Sequence, residues 1–225
     1  MSGVTTNPVL LQRAGVPCTL PSVTRLAKSA LDDYGLNEVM FQAWGGDTDS
    51  LVRTGSALAS LDGGLQRIVV KLPLTRDGIA AAHKLGCDGV RICMTACYNR
   101  QQALVACGLG AEYVAPYLGR MSDNGKDGVA ECAAMAAALQ GMGSSTRVLV
   151  ASLRSAGQLT ALAAQGCNTF TYSPAIAEEL MHEPLTDAAA ADFEAAALAS
   201  GGGDFFEQAR RSLCFSFSGL GLESA

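Results

Sequence analysis

One apolar run of the chain carries a single lysine at its centre: Arg67-Ile-Val-Val-Lys-Leu-Pro-Leu-Thr75. Its β-branched residues predict a strand that is buried on both faces, as strands of parallel sheets are. Lysine is rarely buried without a role, and desolvation lowers the pKa of its amine. Lys71 therefore has two interpretations. It is a neutral amine that forms a Schiff base with a ketone or aldehyde, or a strand-end lysine that reaches water or pairs with a carboxylate.

Short apolar runs of this kind alternate with alanine-rich helical patterns along the chain. Repeated strand and helix units predict a parallel sheet, and seven such units without a domain break favour a (β/α) barrel. The predicted strands are 3–6, 39–44, 68–74, 90–96, 113–118, 148–153 and 169–172. The predicted helices are 21–34, 48–61, 76–84, 100–109, 128–141, 156–165, 175–181, 186–198 and 204–211.

Glycines mark the ends of several predicted helices. Each of four helical stretches ends at a glycine just before a strand, as expected for a left-handed helix C-cap: Gly86, Gly110, Gly141 or Gly143, and Gly166. We expect one barrel domain over residues 1–225, with a C-terminal helical extension at about 186–213.

The composition narrows the possible functions. The net charge is −5 and no basic run occurs, which argues against a nucleic-acid partner. The longest apolar stretches, such as 133–139, are too short to cross a bilayer. Eight cysteines without a Cys-x-x-Cys pair predict reduced, packed thiols in an intracellular protein. The two histidines, His83 and His182, lack metal-ligand spacing and argue against metal-assisted carbonyl chemistry.

Polar residues are concentrated where the predicted strands end. In a barrel these ends meet at one rim, where active sites lie. The set is Thr5, Thr6, Asn7, Gln42, Lys71, Thr95, Tyr117, Arg120, Ser152, Arg154 and Ser173.

A phosphate site is one reading of this rim. Arg120, Ser152 and Arg154 are suited to charge-assisted hydrogen bonds with a phosphate, although a single arginine is more often a surface ion pair. Tyr117 is suited to proton transfer, directly or through water. Together with an amine at Lys71, the combination favours a sugar-phosphate site.

Four segments carry a resemblance to a known family. They are Gly3-Val-Thr-Thr-Asn-Pro8, Ile68-Val-Val-Lys-Leu-Pro-Leu-Thr75, Gly110-Ala-Glu-Tyr-Val-Ala-Pro-Tyr-Leu-Gly-Arg120 and Val150-Ala-Ser-Leu-Arg154. In these segments the chain resembles the small transaldolases and fructose-6-phosphate aldolases, and the resemblance continues to the helix around Phe193. It implies a (β/α)8 TIM barrel, no metal or organic cofactor, and a homo-oligomer, a pentamer or decamer in related enzymes.

The resemblance also implies roles for individual residues. Lys71 matches the Schiff-base lysine, and Gln42, Thr95 and Tyr117 match residues that position a catalytic water in the aldolase branch. The positions that match substrate-binding residues are Thr6 and Asn7 for the dihydroxyacetone unit, and Arg120, Ser152 and Arg154 for the phosphate.

Two departures from the family pattern bear on this assignment. Transaldolases usually carry a glutamate where Gln42 stands, and glutamine cannot exchange a proton, so Gln42 with Tyr117 leans towards the aldolase branch. The family's opening Leu-Asp-Thr-Ala-Asp strand, with its aspartate, has no counterpart before Gly3. We therefore expect a barrel that lacks its first strand and helix in this chain.

The leading hypothesis is a Schiff-base aldolase or transaldolase of carbohydrate metabolism, in the pentose phosphate pathway, that acts on fructose 6-phosphate. A catalytically silent sugar-phosphate-binding paralogue is the alternative. A deoxyribose-phosphate type of aldolase would need a second lysine near Lys71, and Lys84 is the only close candidate. We expect a cytoplasmic location, or the plastid stroma if a targeting segment has been removed.

Overall fold

The computed structural model describes residues 2–201, and the chain divides into two compact units, residues 1–177 and 178–225. The first unit contains seven parallel strands in one sheet, ordered as they occur in the sequence. The strands are β1 (Gly3–Thr5), β2 (Glu38–Gln42), β3 (Ile68–Pro73), β4 (Ile92–Cys97), β5 (Tyr113–Pro116), β6 (Arg147–Val150) and β7 (Thr169–Phe170). Helices alternate with them, so the fold is a partial (β/α)8 TIM barrel and the predicted fold class is confirmed.

The helices are α1 (Pro8–Arg13), α2 (Leu20–Lys28), α3 (Thr48–Ala59), α4 (Arg76–Cys87), α5 (Arg100–Gly108), α6 (Leu118–Asp123), α7 (Gly128–Gly141), α8 (Ala156–Ala163), α9 (Pro174–Met181) and α10 (Pro184–Ala199). Helices α1 to α8 lie between successive strands, and α9 and α10 follow β7. A π-helical turn, Ser29–Asp33, continues α2, and a 3₁₀ turn, Ser60–Asp62, continues α3. No helix among residues 2–201 is both long and apolar enough to span a membrane.

Strand alternation separates two packed layers. Residues on the helix-facing side, among them Phe41, Val70 and Met94, join the large core between strands and helices. Residues on the opposite side form a separate small cluster of Met40, Val69, Cys93, Tyr113, Ala115 and Leu149. Because side chains alternate with a period of two, the residues two positions after Met40, Val69 and Cys93 also lie on this inner side. They are Gln42, Lys71 and Thr95.

The two edges of the sheet approach each other at their carboxyl ends. The hydroxyl oxygens of Thr5, which ends β1, and Thr171, which follows β7, are 3.1 Å apart. Thr5 and Thr171 are 166 positions apart in sequence. The contact shows that the sheet curls until its first and last strands meet through side chains.

Several predicted boundaries differ from the structure. The six-residue helices α1 and α6 were not predicted, since each is too short to display a hydrophobic period. Gly86 lies inside α4, and Gly89, with a φ of 77°, takes the left-handed position instead. The predicted helix 204–211 lies outside the described residues, as does most of the extension after α10.

A charged network closes the amino-terminal end of the strands. Arg91 donates to Glu38 Oε2 and to both carboxylate oxygens of Glu112, each at 2.6 Å. Arg147 also donates to Glu112, at 2.6 Å, and the Tyr113 hydroxyl donates to Glu38 at 2.9 Å. The side chains of Glu38 and Arg91 are only 14% and 22% exposed. Four strands are therefore joined by charge-assisted hydrogen bonds beneath the small inner cluster.

Replacing Arg91 tests how far this network stabilises the barrel. Arg91→Met leaves two carboxylates without their shared cation, so we expect the free energy of unfolding to fall by about 2–4 kcal/mol at pH 7, measured by urea denaturation. The arginine lowers the pKa of Glu112. Its contribution is therefore present above the unfolded pKa of about 4.3 and is lost as pH falls through the lower folded value.

The exposed pair of Lys84 and Asp49, with side chains 53% and 76% exposed, provides the control. Lys84→Met should change the free energy of unfolding by less than about 0.5 kcal/mol. Equal effects of the two substitutions would contradict a stabilising role for the network.

Candidate active site

A cavity of about 500 Å³ lies at the carboxyl ends of the strands. Six of the predicted site residues line it: Asn7, Lys71, Tyr117, Arg120, Ser152 and Arg154. Its inner surface includes Ala115 and Leu149, which belong to the small inner cluster. The carboxyl ends of five of the strands thus contribute to one pocket, at the position where barrel enzymes carry their active sites.

Lys71 is buried in the inner wall of the barrel, with 4% of its surface exposed. Its Nζ donates to the main-chain oxygen of Thr6 at 3.1 Å, and it forms no ion pair with a carboxylate among residues 2–201. Burial lowers the pKa of the amine. The second interpretation of Lys71 requires an amine that reaches water or pairs with a carboxylate. Among residues 2–201, the structure places it in neither environment.

The neighbours of Lys71 across the sheet carry no charge. Gln42 of β2 and Cys93 of β4 are its register partners on either side. Cys93 is fully buried, and burial raises the pKa of its thiol to about 12, so the thiol stays protonated at neutral pH. Uncharged neighbours give the ammonium form no compensation for lost hydration, which favours the free amine.

Tyr117 follows β5 and is held from three sides. The hydroxyl of Thr95, itself buried, donates to the Tyr117 oxygen at 3.0 Å. The ring of Tyr98 packs against the Tyr117 ring edge-on, with centroids 5.8 Å apart and planes at 79°. The guanidinium carbon of Arg120 lies 5.1 Å from the centroid of the same ring. Thr95 does not line the cavity itself, and it reaches the cavity through Tyr117.

Arg120 and Arg154 bring positive charge to one side of the cavity. Arg154 pairs with Asp123 at 2.7 Å, with both side chains more than half exposed. Ser152 between them has a φ of 60°, an uncommon conformation for a residue with a side chain. A Cβ at Gly119 would collide with the Ser152 carbonyl and lie 2.5 Å from Nε of Arg154, so glycine permits this close approach.

The segment after β1 forms another wall. Asn7 caps α1 by accepting from the amide of Leu10 at 2.9 Å, and it lines the cavity. The Thr6 hydroxyl donates to the Met40 carbonyl at 3.4 Å, while its own carbonyl binds Lys71. Thr6 therefore contacts the site through its backbone, and the neighbouring Thr5 presents its side chain to the cavity.

Gln42 does not line the cavity. Its position beside Lys71 is fixed by strand register, and it is partly buried. Lys84, the candidate second lysine, lies on α4, where its amine pairs with Asp49. It is an exposed surface residue.

The structure adds residues that the sequence did not assign. Arg13, in the last turn of α1, brings a third guanidinium to the lining, and Thr171 adds a hydroxyl. The phase of α1 places Arg13 there, but α1 itself was not predicted. Thr5 and Ser173, which the sequence placed at the rim but matched to no role, also line the cavity.

The arrangement combines a desolvated amine, a phenol and a cationic wall. Among residues 2–201, no group of three or more His, Cys, Asp or Glu side chains is arranged to hold a metal ion. An amine of lowered pKa is a nucleophile towards carbonyl carbon, and guanidinium groups bind phosphate. The cavity is therefore equipped for covalent chemistry on a carbonyl compound that bears an anionic group.

Comparison with known proteins agrees with the geometry. The model of the transaldolase/fructose-6-phosphate aldolase family matches residues 1–211. A probable transaldolase of Caulobacter vibrioides is 32% identical over 187 residues, which cover 83% of this chain and 82% of the relative. Probable transaldolases of Sorangium cellulosum and Kosmotoga olearia are also 32% identical, over 86% and 83% of this chain and 85% and 82% of their own. The predicted resemblance is confirmed, and the chain belongs to the transaldolase/fructose-6-phosphate aldolase family.

Proposed function

We propose that this protein is a class I aldolase or transaldolase that acts on ketose phosphates such as fructose 6-phosphate, through a dihydroxyacetone enamine on Lys71. The observation that carries the proposal is the buried amine of Lys71, without a carboxylate partner among the described residues, in a cavity lined by three arginines. Family membership supports the same reaction class.

The reaction begins at the ketone. The neutral amine of Lys71 attacks C2 of the substrate, and loss of water from the resulting carbinolamine gives a protonated Schiff base. This iminium accepts the electron pair of the C3–C4 bond when that bond breaks. Tyr117 gives its phenol proton, through a water molecule, to the hydroxide that leaves the carbinolamine; the resulting phenolate then takes the proton of the C4 hydroxyl by the same route, and an aldose phosphate departs. The enamine of dihydroxyacetone remains on Lys71.

The enamine has two fates. In the aldolase outcome, C3 is protonated and water hydrolyses the iminium, which releases dihydroxyacetone and free Lys71. In the transaldolase outcome, C3 attacks the aldehyde carbon of a second aldose phosphate before hydrolysis. Thr95 holds the Tyr117 hydroxyl at 3.0 Å in both cases. Gln42, beside Lys71, can orient a water molecule by hydrogen bonds but cannot transfer a proton, and this leans the proposal towards the aldolase outcome.

The substrate phosphate is bound by Arg120, Ser152 and Arg154, with Arg13 adding positive charge at the same cavity. Asn7, with the backbone of Thr6, holds the dihydroxyacetone end. With this substrate, we propose a role in carbohydrate metabolism, in the pentose phosphate pathway. The proposed location is the cytoplasm or, alternatively, the plastid stroma. We include a homo-oligomer in the proposal, on the basis of family membership alone.

Trapping of the Schiff base tests the proposal. Borohydride reduction in the presence of fructose 6-phosphate should attach a reduced dihydroxyacetone unit to Lys71, identified by peptide mass spectrometry. Because burial lowers the pKa of Lys71, the initial trapping rate should rise with pH and level off below pH ~10, where an exposed lysine would still be gaining free amine.

The matched variants are Lys71→Met and Lys84→Met, both checked for folding by circular dichroism. Lys71→Met should abolish the adduct, and Lys84→Met should retain it. A folded wild-type chain that binds fructose 6-phosphate in a calorimeter, yet never yields an adduct, would instead support the silent binding paralogue.

The branch of the family is tested at position 42. Gln42→Glu places a group that exchanges protons beside Lys71, so transfer to an added aldose phosphate should rise relative to release of dihydroxyacetone by about tenfold or more. Product ratios measured by chromatography give the answer. Gln140→Glu adds the same charge at an exposed position on α7 and should leave the ratio unchanged. An unchanged ratio in both variants would exclude Gln42 as the determinant.

A further inference from the structure

Tyr98 contacts two groups of the proposed mechanism but does not line the cavity. Its ring packs edge-on against Tyr117, with centroids 5.8 Å apart. Its hydroxyl oxygen accepts from Nη1 of Arg120 at 3.3 Å. A single side chain thus connects the phenol proposed for proton transfer with a guanidinium proposed for phosphate binding.

The backbone before Tyr98 is irregular at the point that aims this side chain. The register of β4 against β5 shifts between Thr95 and Cys97, and Ala96 between them has a φ of 57°. A residue with a side chain is strained in this left-handed region, and such residues cluster at functional sites. The bulge leaves Thr95 bonded to Tyr117 and brings Tyr98 to the other side of the same ring.

Polar contacts fix the main chain of Tyr98 on both sides. Its amide donates to Oε1 of Gln102 at 2.8 Å, and its carbonyl accepts from Nζ of Lys126 at 2.7 Å. The following residue, Asn99, caps α5 through the amide of Gln102. The Tyr98 ring is therefore presented from an anchored position.

From these contacts we infer that Tyr98 is a positioning residue, which holds Tyr117 and Arg120 in a fixed relation so that phosphate binding and proton transfer share one alignment. The inference rests on the proposed function and deepens it. The hydroxyl of Tyr98 orients Arg120 towards the substrate phosphate, and the ring orients Tyr117. Tyr98 itself touches no reacting atom.

Two substitutions separate the hydroxyl from the ring. Tyr98→Phe removes only the contact with Arg120, so the KM for fructose 6-phosphate should rise about 3- to 10-fold while kcat stays within about twofold. Tyr98→Leu also removes the ring, so kcat should fall by a further 3- to 10-fold, roughly the worth of an aromatic pair. Phenylalanine at position 98 should thus retain the wild-type kcat that leucine loses, but not the wild-type KM.

A turnover-independent measurement accompanies the kinetics. Titration with inorganic phosphate in a calorimeter should show weaker binding to Tyr98→Phe than to wild type, by a factor similar to the change in KM. Tyr34→Phe, at a residue 78% exposed and outside the cavity lining, serves as the matched control and should alter neither quantity.

Several results would overturn the inference. One is phosphate affinity and KM unchanged in Tyr98→Phe. Another is a parallel loss of kcat and melting temperature in both variants, which would indicate a purely structural role. The borohydride adduct on Lys71 in wild type separates this failure from failure of the proposed function. If wild type forms the adduct but Tyr98→Phe has unchanged KM and phosphate affinity, the proposed reaction is supported and the positioning role of Tyr98 is excluded.

Discussion

The burial of the Lys71 amine is the constraint on which the site depends. An ammonium ion loses its hydration there, and among residues 2–201 the amine donates a hydrogen bond only to the Thr6 carbonyl, 3.1 Å away. The surrounding wall consists of apolar side chains and a protonated thiol, Cys93, which stabilise the neutral form. In the proposed reaction, this nitrogen must carry a free electron pair before the other residues of the cavity can act on the substrate. The apolar inner face of the sheet therefore matters to the site because it buries the amine and so lowers its pKa.

The sheet sets this environment through alternation along its strands. The side chains of Val70 and Leu72 face the helices, while those of Val69 and Lys71 face inward, so neighbouring residues of β3 belong in turn to the large core and to the inner side that carries the cavity. Beneath the inner cluster, the charged network around Arg91 joins four strands. Its ion pairs cover the amino-terminal end of the barrel interior. The barrel thus has a polar floor and a mouth lined by arginines, with an apolar layer between them that holds the amine.

The sequence was informative where strands are buried on both faces. The run around Lys71 predicted β3 to within one residue, because its short length and β-branched residues favour a buried strand over a helix. It was less informative at the strand ends, where loop and strand residues are equally polar, and in α1, which has only six residues. The role of Tyr98 depends on the bulge at Ala96, and the place of Arg13 depends on the phase of α1. Both are properties of the folded backbone that local pattern does not encode.

The meeting of β1 and β7 has a consequence for how the cavity wall moves. Within residues 2–201, these strands, three and two residues long, are each paired on one side only, and the Thr5 and Thr171 hydroxyls join their ends. The central strands, in contrast, are each paired with a neighbour on both sides. The wall that carries Asn7 and Ser173 is therefore the compliant side of the pocket, and the wall that carries Lys71 is the rigid one.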